Sequence, residues 1–353
     1  MAQTGKVIDF GLMSMKMSIY FMKSPDNLLL VRNDRLGDAI LMLPAYNLLR
    51  MNFPQAKIYL WLSPAAAPIG GAVDSVDDVV ISADNSHREV LDKIKRLRID
   101  TAFCFRPTLS NALALYKAGI RTRIGTARRG YSFLFSHRFN ITRRSSDRHE
   151  ADLNLALLSA AGINGVSDFP KINLPSAAYA SALNLLAEAG VDIENGYIIM
   201  HPGSGGSARE WPAVFFKQLA GFIAQKYKIP ALITGLLDDF DKCRAAAVEA
   251  KHNFCGATDI LTLAVLLKSA KVVIANSTGP LHIAVALKTP VVGLYPPVKD
   301  CLPARWGPYK HPEMALSPDL PLCRKCRPGD VSDCRCMEQI SVDAVAERTQ
   351  KYL

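Results

Sequence analysis

The sequence predicts an α/β chain made of two doubly wound halves in tandem. Short apolar runs alternate with helical patterns from Asn27 onward, and the alternation restarts after a Gly- and Pro-containing loop at 162–175. A length of 353 residues also suits two domains of Rossmann size. At 49% hydrophobic and 21% charged residues the chain is too apolar for disorder, and its 22 Gly and 21 Pro, without period, exclude collagen-like and coiled-coil classes.

The elements follow in order. Residues 1–26 are read as a leader without fold content: Lys16 interrupts the apolar stretch at 10–20 and no small-residue cleavage pattern follows, so a cytoplasmic location is expected. No window approaches the ~18 uninterrupted apolar residues that a membrane-spanning helix requires. Strands are expected at 28–31, 58–62, 79–81 and 101–105, with helices over 38–51 and 86–98 between them, the second with a charged face. A helix over 151–161 precedes the loop at 162–175. Strands at 197–200, 231–234, 271–275 and 291–295 then alternate with helices near 212–227, 239–251 and 259–269. The expected division is 27–175, 176–340 and a C-terminal helix at 341–353. Open sheets of this kind bind ligands beyond the carboxyl ends of their strands, so chemistry belongs in the loops that follow strands.

Three such loops stand out. The first strand runs into Arg32-Asn33-Asp34-Arg35-Leu36-Gly37-Asp38 at a helix start. Asp38 reads either as an N-cap for free amides or as a general base facing the interdomain cleft. The second loop is His201-Pro202-Gly203-Ser204-Gly205-Gly206-Ser207-Ala208-Arg209-Glu210-Trp211-Pro212. Its glycines let backbone amides approach an anion, and Arg209 can grip phosphate oxygens in bidentate fashion; a surface loop with an incidental arginine is the alternative. Gly203, Gly205 and Ala208 spell a dinucleotide fingerprint, which would suit an NAD-dependent oxidoreductase. The next helix starts near Pro212, however, too late for the third small residue to pack helix on strand. The third loop, Asn276-Ser277-Thr278-Gly279-Pro280-Leu281-His282, enters a helix whose free amides and dipole form an anion site, unless it is ordinary capping with His282 merely buried. Two anion sites in one half imply a diphosphate.

Charge is uneven: of the net +10, residues 1–180 hold +8. Arg121, Arg123, Arg128, Arg129, Arg138, Arg143, Arg144 and Arg148 crowd a 28-residue stretch whose one acid is Asp147, with Tyr131, Phe133, Phe135 and Phe139 interleaved. That mixture fits fixed phosphate or carboxylate contacts, a solvated charged face, or a non-catalytic binder of anionic lipid or nucleic acid. No helix-turn-helix, zinc-finger or RNP signature supports nucleic acid. Late in the chain Cys323, Cys326, Cys334 and Cys336 have spacings open to a structural zinc, a disulfide-prone loop or inert thiols.

Taken together, Arg35-Leu36-Gly37-Asp38 with Leu43-Pro44, His201-Pro202-Gly203-Ser204 leading to Arg209-Glu210-Trp211-Pro212, and Ser277-Thr278-Gly279-Pro280-Leu281-His282 with Thr289-Pro290 resemble glycosyltransferase family 9, which includes the ADP-heptose:lipopolysaccharide heptosyltransferases. The resemblance covers residues 27–350. It implies a GT-B fold, two Rossmann-like domains facing across a cleft, with the acceptor on the first and the nucleotide sugar on the second. It also implies inverting transfer from an ADP-heptose-like donor, with no cofactor or metal required. Asp38 matches the catalytic aspartate. Arg209, with Gly203, Ser204, Ser277, Thr278 and Gly279, matches the donor-diphosphate site, and Asp238 or Asp239 the acid on the nucleotide ribose. Arg35, Arg121, Arg123, Arg128 and Arg129 are the expected contacts of an anionic, lipid-linked saccharide acceptor at the inner-membrane surface, with no nucleic acid partner. Many heptosyltransferases have Asp where this chain has Ser277, which leaves open a different sugar.

Overall fold

The structure, a computed structural model, describes residues 24–82, 87–143, 147–323 and 334–353. The leader expectation falls almost wholly on residues outside this set, as do Arg144 and Cys326. The first half forms a parallel sheet of β1 (Asn27–Arg32), β2 (Lys57–Leu62), β3 (Asp78–Ile81), β4 (Thr101–Cys104), β5 (Thr122–Thr126) and β6 (His137–Phe139), in the order 3-2-1-4-5-6. Its helices are α1 (Leu36–Ile40), α2 (Leu43–Asn52), α3 (Ala67–Gly71), α4 (His87–Arg96), α5 (Leu109–Lys117) and α6 (Glu150–Ala160). The second half carries β7 (Ile198–His201), β8 (Ala231–Ile233), β9 (Val273–Asn276), β10 (Val291–Leu294) and β11 (Ala315–Leu316), in the order 11-10-9-7-8 and again parallel. Around it lie α7 (Ser176–Glu188), α8 (Ala213–Tyr227), α9 (Phe240–Ala246), α10 (Ile260–Ser269), α11 (Gly279–Ala286), α12 (Pro303–Trp306) and α13 (Val342–Gln350).

The central strands are apolar throughout because helices cover both faces of a parallel sheet. Leu28, Leu29, Leu30 and Val31 of β1 are fully buried, as are Val273, Ile274 and Ala275 of β9. One apolar cluster includes Leu30 and Phe103 of the first half, Ala182 and Leu186 of α7, and Leu266 and Tyr295 of the second, so the halves share a core. Each sheet reverses its strand order once, between β1 and β4 and between β7 and β9. The loops after β1, β7 and β9 therefore emerge at the two crevices where open sheets bind ligands.

Several expected elements change. The helix expected over 38–51 is two helices, because Pro44 in the first turn of α2 has no N–H to continue a helical ladder. The helix expected over 239–251 ends at Ala246, where Ala247 turns extended. β5, β6, β11, α5 and α7 were not expected. Among the described residues no helix is long and apolar enough to cross a membrane.

Candidate active site

A cavity of about 770 Å³ opens where the carboxyl ends of the two sheets face each other. Asp34, Arg35, Leu36, Gly37 and Asp38 form its wall on the first half; His201, Ser204, Ser207, Asp239, Ser277, Thr278, Gly279 and His282 contribute from the second.

Asp38 is the third residue of α1, whose N-cap is Arg35 without a side-chain cap bond, so Asp38 does not cap the helix. Its Oδ1 instead accepts from Nη2 of the buried Arg32, the hydrogen-bond partner of this carboxylate among the described residues. Arg32 also donates from Nε to Asp34 Oδ1 at 3.1 Å and from Nη1 to Glu150 Oε1 at 3.0 Å. Burial works against the Arg32 charge, but the carboxylates of Asp38, Asp34 and Glu150 raise its pKa above the usual arginine value. Asp34 is pushed up by burial and by Asp38, against the pull of Arg32 and Arg106.

Across the cavity the backbone of α11 starts at Gly279 after an extended Thr278 that makes no side-chain cap bond. The amides of Thr278, Gly279 and Leu281 thus have no intrahelical acceptor, and Thr278 and Gly279 line the cavity. The α1 and α11 starts touch: a Cβ on Gly37 would lie 2.8 Å from His282 Cδ2, and one on Gly279 2.9 Å from Leu36 Cδ2. Gly37→Ala should force the two walls apart and lower kcat on the order of 10²-fold, the cost of a misplacement near 1 Å. Transfer assays check it, and a near-normal kcat would show that the contact is dispensable.

The glycine-rich loop is latched to its neighbour. Asn276 Oδ1 accepts from Trp211 N at 2.8 Å while its Nδ2 donates to Pro202 O at 2.6 Å. The Ser207 hydroxyl lies 2.6 Å from Ser204 O and 2.8 Å from Ser277 O. Ser204 N donates to Glu210 Oε1 at 2.8 Å, and Lys242 bridges Glu210 and Asp239 at 2.6 and 2.9 Å. Asp239 and not Asp238 borders the cavity. Its carboxylate lies so close to Gly203 that a Cβ there would meet Asp239 Oδ2 at 2.3 Å, which gives this glycine a steric role. Arg209 is half-buried in the same loop and is not itself among the residues that line the cavity. Ala208 packs on Val298 and Cys301 instead of between helix and strand, so the dinucleotide-fingerprint geometry does not form.

Two histidines of the wall are neutral. His201 is lowered to about 4 by burial, against the pull of Asp239, and its Nδ1 is 2.9 Å from Thr234 Oγ1. Burial, reinforced by His149, lowers His282 to about 3, and its buried Nδ1 has no hydrogen-bond partner among the described residues. The sequence singled out His282 only as a buried residue; its position one turn into α11 was the available sign that it faces the site.

The arginine cluster is divided by a strand that the sequence did not reveal. β5 runs parallel to β1 through β4, so Arg121 enters at the amino end of the sheet and Arg128 and Arg129 leave at the end where Asp38 lies. Arg123 is spent internally: Nε donates to Leu134 O at 2.7 Å, Nη1 bonds Ile120 O, and the guanidinium lies over the Tyr116 ring. Arg121 and Arg123 therefore lie away from the cavity, whereas Arg35 lines it and Arg128 and Arg129 are exposed at its end of the sheet. Cys323, Cys334 and Cys336 border one surface recess. Cys326, the fourth thiol of the zinc expectation, lies outside the described residues.

The model of a family described as glycosyltransferase family 9 (heptosyltransferase) matches residues 88–332. A putative glycosyltransferase of Haemophilus influenzae is 24% identical over 91% of this chain and 95% of its own length. Lipooligosaccharide heptosyltransferase 2 of Campylobacter jejuni is 21% identical over 90% of this chain and 96% of its own. Among solved structures, E. coli ADP-heptose lps heptosyltransferase II superposes with a TM-score of 0.75 at 19% identity, over 92% of this chain and 98% of that one.

Proposed function

Because the chain belongs to glycosyltransferase family 9, a family of GT-B transferases, we propose that it moves heptose or a related sugar from an ADP-linked donor, with inversion, to an anionic lipopolysaccharide-core acceptor. The observation that carries this reading is the opposition, across one cavity, of the Asp38 carboxylate and the amino end of α11. The donor diphosphate sits on the amides of Thr278 and Gly279, with Ser277, Ser204, Gly203 and Arg209 around it and Asp239 on the ribose. Asp38 takes the proton of an acceptor hydroxyl as that oxygen bonds to the anomeric carbon from the face opposite the departing diphosphate. The bond from carbon to diphosphate breaks, and the α11 amides and Arg209 stabilise the charge that develops on the leaving group. These fixed donors fill the role a divalent cation has elsewhere, so the reaction is assigned no metal.

Arg35, Arg128 and Arg129 face the acceptor, which comes from a membrane surface on the cytoplasmic side. Charge reversal at Arg128 and Arg129 should raise the acceptor KM about tenfold or more while leaving ADP affinity unchanged, as loss of charge-assisted contacts predicts. Steady-state kinetics with acceptor varied check it; an unchanged KM removes these arginines from the acceptor site.

Ser277 favours a second reading, in which the same machinery uses another sugar. Incubating the protein with a panel of nucleotide sugars separates the two: selective turnover of ADP-heptose supports the first, and selective turnover of a different donor the second. Tight binding of NAD with no nucleotide-sugar turnover would overturn both.

A further inference from the structure

Behind Asp38 lies a cluster of charges in which only Asp38 has a chemical task. Glu150, the first residue of α6, is fully buried. Its Oε1 accepts from Arg32 Nη1 at 3.0 Å and Arg143 Nε at 2.8 Å, and its Oε2 from Arg305 Nε at 3.2 Å and Nη2 at 3.1 Å. Arg32 spends its other two nitrogens on Asp34 and Asp38. Three guanidinium groups and three carboxylates thus pair with one another, with a fourth guanidinium, that of Arg106, 3.9 Å from Asp34, and the orientation of each is fixed by the next.

Arg305 reaches this cluster from the second half of the chain. It lies in α12, after β10, between Cys301 and Trp306 of the cavity wall, and its guanidinium lies 4.7 Å from the centre of the Trp306 ring. We infer that Arg305 is a positioning residue for the transfer: through Glu150 and Arg32 it sets where the Asp38 carboxylate stands relative to the donor wall. A line of charge-assisted bonds, Arg305 to Glu150 to Arg32 to Asp38, flanked by Arg143, whose carbonyl accepts from Arg305 Nη1 at 3.4 Å, joins the lobe that holds the donor to the base that activates the acceptor. Loosening Arg305 lets Glu150 follow Arg143 and Arg32, and Asp38 loses its fixed place although the donor site keeps every one of its contacts.

The inference rests on Asp38 as the base, and the test separates the two. Purified Arg305→Gln is compared with the parent for melting temperature, ADP affinity by calorimetry, and kcat and KM for each substrate. The expected result is a kcat lowered about tenfold or more, with ADP affinity and donor KM held within about twofold, the signature of lost positioning instead of lost binding. Arg305→Lys keeps the charge but not the two-nitrogen contact and should fall between the two; it decides the matter if the glutamine variant does not fold. Glu150→Gln combined with Arg305→Gln should cost little more than either change alone, because both cut one line. A folded Arg305 variant with parental kcat, or one whose loss lies in ADP affinity, overturns the inference and leaves Asp38 as base untouched. Should Asp38→Ala itself retain transfer, the base assignment fails first.

Discussion

Asp38→Ala is expected to lose about 10²–10⁴-fold in kcat while ADP binds as in the parent, because a general base contributes that much and acts on the acceptor, not the donor. Single-turnover transfer and ADP titration on the same preparation measure the two effects. Asp38→Asn is the companion variant: it keeps an oxygen for Arg32 Nη2 but cannot take a proton, so its kcat should fall as far. Transfer at a near-normal rate by either variant would mean that another group removes the proton.

Glu150→Ala should destabilise the fold by about 3–5 kcal/mol, because it leaves three guanidinium groups around an empty buried position. Denaturant unfolding provides the check, and a loss below about 1 kcal/mol, the value of a surface pair, would show that water or rearrangement replaces the carboxylate. The same group gives stability a pH dependence. Burial alone would raise the Glu150 pKa, but Arg32, Arg143 and Arg305 hold it below the usual glutamate value. A depressed folded-state pKa means that this contribution is complete above the unfolded value and disappears as pH falls through the folded one. Acid unfolding should therefore set in below the ordinary glutamate range in the parent, and Glu150→Gln should show a shallower decline there.

Most of the strands legible in the sequence are buried on both faces, and the edge strand β3 is legible from its Val79-Val80-Ile81 run. β1, β2, β7, β9 and β10 are nearly continuous apolar runs bounded by turns, and composition alone locates them. β5 and β6 lie toward an edge of the sheet, and their Thr-Arg-Ile-Gly-Thr and His-Arg-Phe carry the polar residues an edge tolerates, so they look like loop. That is why Arg121 and Arg123 read as one group with Arg128 and Arg129: linear density cannot show that a strand carries the two pairs of arginines to opposite ends of a sheet. The three cavity loops were legible because each follows a central strand and carries Gly, a hydroxyl residue or Asp at a helix start. Which of Asp238 and Asp239 borders the cavity was not, since it depends on which of two adjacent carboxylates turns toward Gly203. Nor was the role of Glu150, whose three partners lie 7, 118 and 155 positions away.

The stretch that carries Arg305 continues into Gly307, Tyr309 and Lys310, which bond His149, Asp152 and Ser167 respectively. Late residues thus fasten the opening turn of α6, and the lobes are not interchangeable cassettes. A hybrid joining the amino-terminal lobe of this enzyme to the carboxyl-terminal lobe of a relative would need residues 305–310 grafted along with the former, or that lobe would lose the clasp that steadies it.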